Sequence, residues 1–188
     1  MKYVRFLLFL ISISAGICLH AQNEISVATP PAAAVLKKAV VEAGNQNKKV
    51  LLMFHASWCV WCHRMDSSLV DAATRKFFDD NFVITHITVS ESKENKNLEN
   101  AGGQEMMEKF NGKDMGLPYW VFLDKDSKLL FDSRIKTTAA DGKVRDGNIG
   151  CPASQPEVAT FISILKKITT LTDPQLEIIA KRFRQNEK

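Results

Sequence analysis

Cysteine is scarce in this chain. There are four in 188 residues, and only Cys59 and Cys62 lie close together. A zinc site needs further ligands, and neither Cys18 nor Cys151 completes a second Cys-x-x-Cys. The apolar stretch from Phe6 to Ile17 is too short to span a bilayer comfortably. There is no internal repeat and no low-complexity tract. An excess of one charge is also missing. Taking Lys2 and Arg5 from the 25 basic residues leaves 23 against 21 acidic ones, a net +2. That is no footprint for nucleic acid or for an anionic membrane.

The N-terminus has its own pattern. Met1 to Arg5 is a short basic lead, Phe6 to Ile17 is apolar, and Leu19-His20-Ala21 puts a small residue before the polar Gln22-Asn23-Glu24. This predicts a secretory signal peptide over 1–21, cleaved after Ala21, with an uncleaved membrane anchor or a lipid on Cys18 as alternatives. Cleavage leaves no stable membrane insertion and places the protein in the periplasm or outside the cell, where a cysteine pair persists as a disulfide. Three cysteines then remain, so at least one thiol has no partner within the chain.

Ser57-Trp58-Cys59-Val60-Trp61-Cys62-His63 organises the rest. The apolar run Val50 to Phe54 leads into it and a helical pattern leaves it. Cys59 therefore falls at a helix N-terminus, where unpaired N–H groups and the helix dipole favour a thiolate. A pKa of roughly 6–7.5 is expected there, against about 8.5 for an ordinary thiol. Two intervening residues let Cys62 reach Cys59, so the pair can cycle between dithiol and disulfide. A purely structural disulfide is one rival. Another is haem, because Cys59 to His63 also spells Cys-x-x-Cys-His. The strand-like run before the pair and the bulky Trp61 within it count against haem.

At 45% hydrophobic, the chain can build one core. Residues 22–31 read as a mobile lead. Val35, Leu36, Ala39, Val40 and Ala43 predict a helix closed by Gly44. Val50 to His55 predicts a strand buried on both faces, with His55 either a core histidine or a tuner of the thiols. The helix from Cys59 is expected to run towards Phe77-Phe78, and Phe82 to Val89 to form a strand parallel to the first. Residues 90–103 predict an exposed loop, and Met106, Met107 and Phe110 a short helix. Pro118 cannot donate to a sheet ladder, so it should open the strand Tyr119–Leu123, where a cis bond fits. Lys128 to Asp132 returns as a hairpin partner. Arg134 to Ala153 reads as irregular. Ser154-Gln155-Pro156-Glu157 and Thr172-Asp173-Pro174-Gln175 start two final helices.

This order, with Phe54 to Cys62 and Gly116 to Leu123, resembles the thioredoxin fold: α/β, with a central mixed sheet flanked by helices. The likeness covers roughly residues 32–168 and looks closest to exported thioredoxin-like proteins of bacterial envelopes. It implies a domain over 32–188 with an extra loop at 90–103 and a C-terminal helical extension at 172–185. It also implies that Cys59 attacks, Cys62 resolves, and Pro118 is a cis proline beside them. Trp58, Trp61, Leu117 and Pro118 would meet substrate, and His55 and His63 could tune the thiols. The implied partners are protein thiols or disulfides and an envelope electron donor, with neither metal nor organic cofactor. A non-catalytic binding module of the same fold is the alternative. Three departures stand out. Met53 occupies the place of thioredoxin's buried Asp, Val60-Trp61 replaces Gly-Pro, and the 90–103 loop is extra. Since Trp61 offers one N–H and no charge, the expected potential is about −270 to −200 mV.

Overall fold

The computed structural model describes residues 28–138 and 141–187. The signal peptide expected over 1–21 and most of the lead to Pro31 lie outside the described residues. No helix of the described residues is long and apolar enough to cross a membrane.

The elements follow in the order α1 (Ala32–Gln46), β1 (Lys49–His55), α2 (Val60–Leu69), α3 (Arg75–Asn81), β2 (Phe82–Thr88), α4 (Gly103–Lys109), β3 (Tyr119–Leu123), β4 (Leu129–Asp132), β5 (Arg134–Thr138), β6 (Val144–Asn148), α5 (Gln155–Ile168) and α6 (Asp173–Arg184). Strands β2-β1-β3-β4 form one mixed sheet, in which β1 is parallel to β2 and antiparallel to β3. This is the expected fold class.

Alternation along β1 and β3 divides the core into two layers. Leu51, Met53, Trp120 and Phe122 face α2, α3, α5 and α6, where they meet Met65, Phe78, Phe161 and Phe183. Val50, Leu52, Phe54, Tyr119 and Val121 face α1 and α4, against Ala39, Ala43 and Met107. Both central strands are buried on both sides, which is why they carry continuous apolar runs.

Four expectations need correction. Gly44 does not close α1; the helix runs on to Asn47, whose left-handed conformation (φ 53°) caps it while Lys48 N–H bonds the Ala43 carbonyl at 2.8 Å. The helix from Cys59 ends at Leu69. Asp71 then accepts the Ala73 N–H on its carboxylate, and the Thr74 hydroxyl donates to the Ser68 carbonyl, so α3 is a new helix. Residues 134–153 are not irregular throughout, because β5 and β6 pair as an antiparallel ribbon with Lys136 against Asp146. The 90–103 loop contains a 3₁₀ turn (Lys93–Leu98), and its Glu91 and Asn100 are buried. The end of the lead is tied to that loop, with Asn100 Nδ2 donating to the Pro30 carbonyl and Thr29 Oγ1 to the Asn97 carbonyl.

Candidate active site

β1 delivers His55 and Ala56 to the edge of the core, and the chain then turns through Ser57-Trp58 into α2. Cys59 is the N-cap of α2. Its Sγ accepts the Cys62 N–H at 3.2 Å, and the two sulfurs are joined in a disulfide. Both cysteines are buried, with exposed apolar side chains beside them: Trp58 is 58%, Val60 63% and Trp61 44% accessible.

The facing wall comes from the turn before β3. The Leu117–Pro118 bond is cis, and Leu117 packs on Ala56, Cys59 and Cys62. Asn148, at the end of β6, holds this turn from behind. Its Nδ2 donates to the Gly116 carbonyl at 2.7 Å and the Pro118 carbonyl at 3.0 Å. Between Trp61, this turn and the 148–153 segment runs a groove of about 360 Å³. The structure thus brings Cys59, Cys62, Leu117 and the cis Pro118 together, with Trp61 and Leu117 lining the groove, while Trp58 donates Nε1 to the Ser90 carbonyl.

The two histidines are placed differently. The exposed His63 points Nε2 at the Ser57 carbonyl (2.9 Å), which can only accept, so that nitrogen carries a proton. His55 is half buried, with Nε2 3.1 Å from Thr88 Oγ1 and its ring 5.0 Å from that of His86. Burial, then the neighbouring His86, hold its pKa below the ordinary value of 6.5, against the pull of Asp66 and Glu91, so His55 is neutral at pH 7. His86 in turn pairs with Asp66 of α2 at 2.8 Å.

Cys151 lies along the groove but is buried. Asn186 Nδ2 donates to its Sγ at 3.3 Å, and burial pushes its thiol up to about 12. A thiol with that pKa stays protonated and is a poor nucleophile at neutral pH.

Two contributing residues, Glu91 and Asn148, were not visible in the sequence as parts of the site. Glu91 accepts from both Ser57 N–H and Ser57 Oγ. The Arg64 guanidinium lies 4.6 Å over the Trp61 ring, and its Nη1 donates to the Asn186 carbonyl. Asn148 braces the proline turn. Glu91 and Asn148 gain their roles from partners 30 to 34 positions away, and spacing carries no signal at that range.

The sequence model of the thioredoxin-like domain matches residues 36–138, more than half of the chain. The chain belongs to the thioredoxin-like domain family. Among solved structures it is similar to a disulphide isomerase from Xylella fastidiosa Temecula1, with 22% identity over 64% of this chain and 80% of that one and a TM-score of 0.45. It is also similar to an oxidoreductase named DsbH, with 20% identity, 81% and 95% coverage and a TM-score of 0.42. A third is the C-terminal domain of Neisseria meningitidis DsbD in its oxidised form, with 21% identity, 56% and 84% coverage and a TM-score of 0.39. No curated protein matches the chain in sequence. In a thioredoxin-like domain, the Cys59–Cys62 disulfide at the start of α2 is a pair suited to thiol–disulfide exchange.

Proposed function

We propose that the protein is a thiol–disulfide oxidoreductase of the bacterial cell envelope, periplasmic or secreted, acting on cysteines of other proteins as a reductase, isomerase or relay. The observation that carries this is the Cys59–Cys62 disulfide at the start of α2, with Trp58, Val60 and Trp61 exposed beside it. In the reducing direction, the Cys59 thiolate attacks a substrate disulfide and expels one substrate thiolate, leaving a mixed disulfide. Cys62 then attacks Cys59 Sγ, closes the Cys59–Cys62 disulfide and releases the second substrate thiolate. Two electrons pass from the dithiol to the substrate, and an envelope electron donor must return them. Leu117 and Pro118 line the approach and Trp58 and Trp61 grip the apolar residues around the substrate cysteine. No organic cofactor enters this cycle.

The location rests on the sequence pattern of residues 1–21, a leader followed by a lead and a domain from residue 32. The haem alternative is tested by an absorption spectrum, which should show no Soret band.

Reduction of insulin disulfides in the presence of a chemical reductant tests the activity. The full-length mature protein should accelerate it well above the uncatalysed rate, and equilibration with glutathione should give a potential of about −270 to −200 mV. A rate no faster than the reductant alone would leave a non-catalytic binding module. A potential above about −150 mV would make the protein an oxidant.

A further inference from the structure

Glu91 is the one buried acidic residue among the described residues, at 5% exposure, and it sits at the start of the 90–103 loop. A buried carboxylate needs partners for its charge. Both of its partners come from a single residue. Ser57 N–H donates to Oε1 at 2.5 Å, and Ser57 Oγ donates to Oε2 at 2.7 Å. Each carboxylate oxygen thus has its own donor. Next to it, Trp58 Nε1 donates to the Ser90 carbonyl at 2.9 Å. Thus the first two residues of the loop hold the two residues immediately ahead of Cys59.

The loop end of this clamp is itself braced. Glu91 N–H donates to Glu99 Oε1, which Lys96 Nζ also meets, each at 2.7 Å. Asn100 closes the loop by accepting the Thr88 N–H at 2.6 Å. The other titratable groups nearby centre on His55 of β1, on which His63 and Asp66 of α2, His86 of β2 and Glu91 itself all act. Of these groups only Glu91 makes two hydrogen bonds to Ser57.

We propose that Glu91 is a positioning residue for the exchange reaction, fixing the Ser57–Trp58 approach to Cys59 and setting a negative charge against the Cys59 thiolate. A fixed anion nearby disfavours a second one. Glu91 therefore opposes the dipole of α2, raises the energy of the reduced, thiolate form, and favours the disulfide. Met53 leaves the strand before the motif without a carboxylate, and Glu91 supplies one from the loop after β2.

This rests on the exchange activity proposed above, and variants of the full-length protein separate the two. Glu91→Gln keeps the shape and a carbonyl acceptor but removes the charge. It should shift the equilibrium with glutathione roughly three- to tenfold towards the dithiol, about 15–30 mV. Alkylation of Cys59 at mildly acidic pH should rise by a similar factor. Glu91→Asp, which keeps the charge, should return most of the wild-type equilibrium. A residue that merely braced the loop would lower the midpoint of unfolding in both variants and leave the glutathione equilibrium at the wild-type value, which would overturn the role. A wild-type protein that never equilibrates with glutathione would overturn the exchange activity and the Glu91 role together.

Discussion

Serine in place of Cys59 is expected to bring insulin reduction down to the background of the chemical reductant, a loss of at least about a thousandfold. An alcohol at this position stays protonated at neutral pH and forms no bond to a disulfide sulfur. The fold should tolerate the change, because a serine oxygen also accepts the Cys62 N–H and serine is a favoured N-cap. Circular dichroism should therefore stay native while turnover disappears. Residual turnover near the wild-type rate would move the chemistry away from Cys59.

Ending the chain at Leu171 is expected to abolish cooperative folding. The truncation removes α6, whose Leu176, Ile179 and Phe183 are buried against Phe78 and Phe161; Phe183 lies 5.0 Å from the Phe161 ring. Each such side chain is worth about 1.5–3 kcal/mol on burial. Three together are comparable to the roughly 5–15 kcal/mol that separates a folded domain from its unfolded state. The cut also removes Arg182, which pairs with Asp71 at the break between α2 and α3, and Asn186, which holds Arg64 over Trp61. Urea unfolding of the truncated chain should be broad, at low midpoint, with Cys151 open to alkylation. An unchanged midpoint would mean that α6 is an accessory rather than part of the core.

How much of this could be read from residues alone depended on where the stabilising contacts run. β1 and β3 were legible because burial on both faces demands an uninterrupted apolar run, and Val50–Phe54 and Tyr119–Leu123 supply it. The pair itself was legible because two sulfurs three residues apart at a strand–helix junction have few uses. Ser154 announced α5 through a capping box and Thr172-Asp173-Pro174-Gln175 announced the start of α6, and the structure contains a capping box at each. The β5–β6 ribbon was not legible. Its residues are largely exposed and alternate among Lys, Thr, Arg and Asp, so no apolar face marks it, and its order comes from the ladder and from ion pairs such as Lys136–Asp146. The break after Leu69 was hidden for a related reason. Ala72, Ala73, Phe77 and Phe78 continue a helical pattern, and only the Asp71 and Thr74 side chains, by taking backbone groups, interrupt it. Glu91 was the deepest omission. In a polar stretch it looks like any solvated acid, and only the fold carries it to Ser57.

The most direct test of the account is covalent trapping with Cys62→Ser. With the resolving thiol gone, the reaction should stop at the mixed disulfide. Incubation with a disulfide-containing protein should then give one stoichiometric adduct, mapped by mass spectrometry to Cys59, while Cys151, with its thiol pushed up to about 12, remains a free thiol. Absence of an adduct, or an adduct mapped to Cys151, would contradict exchange through the Cys59–Cys62 pair.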